Sequence, residues 1–276
     1  MMRGDSGDTI LKAMVDLRAA KQPFALATVI DTRGSVSAKP GSKAVIGQNG
    51  RIVTGWVGGG CAENSVCHTA LDCLRTGDTA VIELDMNDEV LGTGMPCGGS
   101  MQVYVEPFLP APTLWLLGHG RVAECVCSIG ALMGFEVVVD DPLADSEHYP
   151  DAVRLLTDDM DYGQLTPKPA DFVVVATQHK GDHQSLQRAL RSGASRIALI
   201  ASRKRARLVL DYLRGEGFDA TDLQRVSAPA GFDLGARSPE EIALSVVCEL
   251  VMQRRGGSGL LLRDKISQPE GADPSA

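Results

Sequence analysis

The residues of this chain best suited to chemistry are two cysteines set among glycines. Gly58-Gly59-Gly60-Cys61 stands immediately before a helical pattern, and Met95-Pro96-Cys97-Gly98-Gly99 reads as a second glycine-rich turn. Glycines leave backbone amides exposed, and a helix N-terminus adds positive potential. A thiol held there is expected to have a depressed pKa and thiolate character, the form that ligates a metal or carries sulfur. Cys61 and Cys97 are therefore the candidate metal-ligating and cofactor-binding residues, with Gly58, Gly59, Gly60, Gly98 and Gly99 as the amides around them. The competing reading is two small buried cysteines in tight turns, but core cysteines seldom stand among three glycines. Cys67, Cys73, Cys125, Cys127 and Cys248 fall within helical patterns and read as packing residues. Structural zinc is disfavoured. Positions 61, 67, 73 and 97 contain no C-x-x-C pair, and six residues turn about 240° on a helix, so the three helical cysteines do not face one point.

A second chemistry is written at Gly118-His119-Gly120-Arg121-Val122-Ala123, which follows the apolar run LWLL and opens a helical pattern. Asp140 and Asp141 end the next apolar run, about 20 residues on, as a dinucleotide fingerprint requires. Gly118 lets the chain turn, Gly120 lets a pyrophosphate approach the helix N-terminus, and Ala123 takes the third fingerprint position. A carboxylate at Asp140 or Asp141 favours a ribose 2′-hydroxyl over a 2′-phosphate. The alternative is a Rossmann-like domain whose pocket is empty or repurposed, because fold does not fix function. Ala176-Thr177-Gln178-His179-Lys180-Gly181-Asp182-His183 ends another strand pattern, the edge at which open α/β sheets bind ligands. His179 and His183 are candidates there for bonding a ligand or moving a proton, against an equal reading as ordinary loop histidines. Arg203-Lys204-Arg205-Ala206-Arg207 could hold phosphates, but a solvated helix face is the better reading. Thr32-Arg33-Gly34-Ser35 and Lys39-Pro40-Gly41-Ser42-Lys43 add polar, basic loops that would suit an anionic ligand.

The elements that must position these residues follow from pattern. FALATVIDT from Phe24 is a strand, KAVIG and RIVTGWV flank a Gln48-Asn49-Gly50 hairpin turn, Cys61 to Arg75 is a helix ended by Gly77, and TAVIELD and SMQVYVEPF are strands. Pro110 and Pro112 make a stiff connector. Beyond it LWLLG, FEVVVDD, AVRLLTD, DFVVVAT and RIALIAS are apolar without alternation, as strands buried on both faces of a parallel sheet are. Ser238-Pro239-Glu240-Glu241 reads as a capping box opening a last helix. The expected fold class is α/β, with an N-terminal α+β domain (1–109), a Rossmann-like doubly wound parallel-sheet domain (110–256) and a mobile tail (257–276). The 276-residue length agrees, at roughly 150 residues per domain.

Composition narrows the function classes. The chain is 44% hydrophobic and 22% charged, which is globular, and its 27 basic against 35 acidic residues give a net charge of −8, which counts against a nucleic-acid binder. No apolar run reaches the roughly 18 residues of a membrane span. The N-terminal twenty residues read as an amphipathic helix rather than an export signal, so the seven cysteines are expected to be reduced thiols in a cytoplasmic protein.

Taken in order, TRGS, GWVGGGCAE, GMPCGGSMQVYVEP, GHGRVA with VVDD, ASRKRAR and APAGFDLGARSPEEIA resemble the XdhC/CoxI family over roughly Ile10 to Gly256. These are accessory proteins of xanthine dehydrogenase and of related molybdenum hydroxylases such as carbon monoxide dehydrogenase. The resemblance implies a chaperone more than a catalyst, one that binds the molybdenum cofactor in its cytosine dinucleotide form, protects it while an oxo ligand is exchanged for sulfur, and delivers it to the apo molybdenum hydroxylase. A cysteine desulfurase or other sulfur donor, and a homodimer, complete the implied partners. Two departures stand out. His119 occupies a position where a small residue is commoner, which narrows the turn and counts against ordinary NAD affinity, and ATQHKGDH differs from the THDH-type segment of many members. The rivals are an NAD-binding oxidoreductase, a regulatory NAD-binding module and a cytidylyltransferase. None of Tyr104, Tyr149, Tyr162 or Tyr212 has the Lys four residues on that a short-chain dehydrogenase needs, and no cytidylyltransferase-type loop opens the chain.

Overall fold

A computed structural model describes residues 7–85, 99–177 and 181–265. They form two compact units, Met1–Pro110 and Ala111–Ala276. The first contains α1 (Gly7–Ala19), β1 (Phe24–Gly34), β2 (Lys43–Gly47), β3 (Ile52–Gly55), α2 (Cys61–Thr76), β4 (Ala80–Asp85) and β5 (Gly99–Phe108). The strands make one antiparallel sheet in the order β3-β2-β1-β5-β4. Alternation decides its faces. Ala25, Ala27 and Val29 of β1 and Met101, Val103 and Val105 of β5 point to one side, where Val66, Ala70 and Cys73 of α2 close the core. Val45, between Ala44 and Ile46, points to the other side and clusters with Phe24 of β1 and Ile10 of α1. The expected hairpin turn joins β2 to β3, with Gly50 at φ 71° and its amide donating to the Gly47 carbonyl. Gly77, left-handed at φ 82°, ends α2 by donating to the Cys73 carbonyl.

The second unit contains β6 (Thr113–Gly118), α3 (Arg121–Leu132), β7 (Glu136–Asp140), β8 (Arg154–Leu156), β9 (Phe172–Ala176), α4 (Asp182–Arg191), β10 (Ile197–Leu199), α5 (Arg203–Gly215), α6 (Ala220–Gln224), β11 (Val226–Ser227), α7 (Pro239–Arg255) and α8 (Leu262–Lys265). All six strands are parallel, in the order β11-β10-β9-β6-β7-β8. This is the doubly wound α/β arrangement expected from the unalternating apolar runs. Leu114 and Leu116 face a core shared with α3 and α7, while Trp115 and Leu117 face Leu186 of α4 and Leu213 of α5. Each fully buried leucine contributes about 1.5–3 kcal/mol of hydrophobic stabilisation. The capping box also forms: Ser238 Oγ accepts from the Glu241 amide, and the Glu241 carboxylate accepts from the Ser238 amide. No described helix is long and apolar enough to cross a membrane.

Strand order reverses between β6 and β9, and there the sheet opens a crevice at its carboxyl edge. Gly118 sits at that point, paired with Ala176 and at φ 120°. A Cβ on Gly118 would stand 2.4 Å from the Ala176 carbonyl oxygen and 2.8 Å from the Thr177 nitrogen. Both obstacles are backbone, so a side chain here forces the two central strands apart. Gly193 makes the contrasting case, with φ 82° but open space around a Cβ. Gly118→Ala is expected to cost about 3 kcal/mol or more, from strain and clash together, and Gly193→Ala about 1 kcal/mol from strain alone. Denaturant unfolding of both variants checks this, and equal losses would contradict it.

Candidate functional site

In the first unit the chain leaves β3 through Trp56 and the wholly buried Val57 into Gly58-Gly59-Gly60. Gly58 is buried at φ 116°, and a Cβ there would touch Ala62 and Met101 at 3.4 and 3.5 Å. Gly59 and Gly60 are exposed, and a Cβ on either would meet nothing within 4 Å. Gly60 is the N-cap of α2 and supplies no side-chain cap, and Cys61 is the first helical residue. The turn therefore presents open backbone beside the position of Cys61, at the positive end of a helix dipole.

Cys97 and Gly98 lie outside the described residues. Gly99 begins β5 opposite Gly34. A Cβ on Gly99 would stand 2.4 Å from the Arg33 carbonyl oxygen, so close backbone packing on the Thr32–Ser35 stretch explains this glycine. Burial pushes the Cys67, Cys73 and Cys125 thiols above their ordinary range and takes Cys127 up to about 12. These four are thiols, as packing residues should be. Cys248 corrects the sequence reading: it is exposed on α7, because its helical position falls on the solvent side of that helix. Among the described residues no cluster of three His, Cys, Asp or Glu side chains could hold a metal ion.

In the second unit Gly120, at φ 95°, is the N-cap of α3 and likewise lacks a side-chain cap. Its turn leaves the first amides of α3 without a side-chain cap. Ala123 is fully buried in the core between α3 and the sheet, where a small residue allows close packing. Arg121 is paired with Glu240 at 2.8 Å and Glu124 at 3.3 Å. His119 Nδ1 meets Asp141 Oδ2 at 3.0 Å, and Asp141 Oδ1 accepts from the Leu143 amide at 2.8 Å.

Asp140 is paired in the ladders with Leu117 and Leu156 and has no exposed surface. Neither of its carboxylate oxygens has a hydrogen-bond donor among the described residues. Burial, and then the nearby Asp159 and Asp141 carboxylates, push Asp140 up to about 7, against a smaller opposing pull from Arg154. Of the two carboxylates a ribose diol would use, Asp140 is therefore enclosed and Asp141 is already bonded.

The carboxyl end of β9 carries a buried polar group that sequence reasoning missed. Thr177 Oγ1 donates to Asp182, which is 1% exposed, and Arg205 Nε closes on Asp182 Oδ2 at 2.5 Å. Arg205 thereby corrects the reading of ASRKRAR as a solvated face, which holds for Arg203, Lys204 and Arg207. The signal was a Thr and an Asp straddling a strand-to-helix turn, but their arginine partner is 23 residues away. His183, the second residue of α4, packs edge-on against Tyr212, ring centroids 5.1 Å apart. His179 lies outside the described residues.

The enclosed Asp140 has a direct consequence for stability. Its pKa is about 7 folded against 3.8 ordinarily, so between those values the folded state binds the proton that the unfolded state has lost. Its contribution to stability is therefore fully present below pH 4, falls as pH rises toward 7, and is level above that. Asp140→Asn should be more stable than the parent at pH 8 by about 1–4 kcal/mol, with the advantage vanishing toward pH 4. Unfolding curves across that range check the sign, and a parent that is relatively more stable at pH 8 than at pH 5 would contradict it.

Comparison with known proteins agrees with these two units. The profile of the XdhC and CoxI family matches residues 17–85, and that of the XdhC Rossmann domain matches residues 114–250. The chain is 31% identical over 257 residues, 90% of its length, to 47% of the uncharacterized protein YqeB of Escherichia coli (strain K12). It is 29% identical over 159 residues, 55% of its length, to 46% of a probable xanthine dehydrogenase subunit of Bacillus subtilis (strain 168). It is 26% identical over 110 residues, 40% of its length, to 34% of the molybdenum cofactor insertion chaperone PaoD of Escherichia coli (strain K12). The chain spans less than half the length of each of these relatives. With a glycine-rich cysteine turn in one unit and a fingerprint turn at the switch point of the other, the chain belongs to the XdhC and CoxI family.

Proposed function

We propose that this protein binds the molybdenum cofactor, holds it during sulfuration and delivers it to an apo molybdenum hydroxylase of the xanthine dehydrogenase or carbon monoxide dehydrogenase type, in the cytoplasm. Family membership supports a role in cofactor maturation, as do relatives named for xanthine dehydrogenase and for molybdenum cofactor insertion. The observation that carries the reading is the Gly58-Gly59-Gly60 turn, exposed at Gly59 and Gly60 and placing Cys61 first in an uncapped helix. When bound, the cofactor supplies a molybdenum centre whose terminal oxo ligand is exchanged for sulfur.

The chain's own residues divide the remaining work. Cys61, with Cys97 as its partner motif, ligates the metal or carries sulfur as a persulfide from a desulfurase-type donor. The amides at Gly58 to Gly60 and the end of α2 stabilise the negative charge either role requires. Gly118 and Gly120 let a pyrophosphate approach the first amides of α3, which suits the cytosine dinucleotide form of the cofactor.

Serine keeps the size of cysteine but ionises far less readily. Cys61→Ser and Cys97→Ser should therefore fold normally yet lower activation of the partner by about tenfold or more, a loss typical of removing a group that holds a reacting centre. Cys125→Ser, with its thiol held neutral by burial, should leave activation near the parental level. The assay is reconstitution of an apo-hydroxylase with cofactor and a sulfur donor, scored as recovered activity. Full activation by both motif variants would show that the two cysteines are structural.

A further inference from the structure

We infer that His119 sets the nucleotide selectivity of the Rossmann turn: by holding Asp141 it withdraws from a ribose diol the carboxylate that would let the turn take NAD. The inference rests on the reading that this turn receives a pyrophosphate. In such a fold the nicotinamide dinucleotides are told apart at the end of the second strand. A carboxylate there accepts from the ribose 2′-hydroxyl, or a nearby arginine receives a 2′-phosphate.

Each of those groups is either enclosed or already engaged. Asp140, the last residue of β7, lies enclosed in the sheet with no exposed surface. Asp141 is 8% exposed, and both its oxygens are engaged, Oδ2 by His119 Nδ1 at 3.0 Å and Oδ1 by the Leu143 amide at 2.8 Å. Arg121, the cation next to the turn, is bridged to Glu240 and Glu124. A diol reaching Asp141 has to displace a charge-assisted hydrogen bond supplied by the turn itself. A small residue between the glycines imposes no such competition. The selectivity therefore comes from a single side chain in the middle of Gly118-His119-Gly120, not from a change in the fold. It leaves the pyrophosphate contacts at α3 intact, so a dinucleotide gripped elsewhere is still accepted while NAD and NADP are refused.

The test is calorimetry with NAD and NADP on the full chain, for the parent, His119→Ala, His119→Ser and the double variant His119→Ala/Asp141→Asn, with melting temperatures to confirm folding. The expected result is weak NAD binding by the parent and a gain of about tenfold or more in either His119 variant, the scale of one hydrogen bond to a charged group. The gain should disappear in the double variant and should not extend to NADP, whose 2′-phosphate the released carboxylate repels. Unchanged NAD affinity in folded His119 variants would overturn the inference, as would a parent that binds NAD tightly and loses it when His119 is replaced. The proposed function fails on different evidence. A chain that retains no pterin yet gains NAD through His119→Ala keeps this inference and loses the cofactor reading. A chain that retains pterin but gains no NAD loses this inference alone.

Discussion

At Gly118 the backbone of β6 passes so close to the Ala176 carbonyl that no side chain fits between them. That contact lies where the strand order reverses, between the two central strands of the second unit. It lets β6 end and α3 begin within three residues, so that the N-terminus of α3 is delivered to the carboxyl edge of the sheet. The register on the other side of β6 completes the edge. Leu117 pairs with Asp140, which brings the end of β7 beside the turn and allows His119 to reach Asp141. The start of α3, the enclosed Asp140 and the engaged Asp141 all gather at the edge where these strands pack without a Cβ between them.

The first unit meets the same requirement, open backbone amides at a helix start, by a different route. Gly59 and Gly60 are exposed with free space around them, whereas Gly58 is packed against Ala62 and Met101. One glycine fixes the turn and two leave it accessible. The buried cysteines of both units are a different case: burial holds their thiols neutral.

Much of this architecture was legible because it is written locally. The Gln48-Asn49-Gly50 turn, the left-handed Gly77, the capping box at Ser238 and the unalternating apolar strands each depend on residues within a few positions of one another. The fold class and the family follow from their order. What stayed hidden depends on partners distant in sequence. Arg205 reads as one of four basic residues until Asp182 is brought under it by the packing of α4 and α5. Asp140 and Asp141 look alike as a pair, yet strand register encloses one and His119 engages the other. β11 has two residues, too few to leave a pattern, and exists because β10 offers it an edge. Cys248 shares helical spacing with apolar neighbours, and only the packed side of α7 shows that it faces solvent.

The central claim is that this chain holds the molybdenum cofactor, and the most direct measurement is of what it carries. The protein would be purified without oxygen from molybdate-fed cells able to make the cofactor, beside a known cofactor binder. Bound metal and released pterin would then be identified by mass spectrometry. The account predicts molybdenum together with a pterin dinucleotide in the purified protein. Absence of both, in a preparation where the known binder retains both, would contradict it.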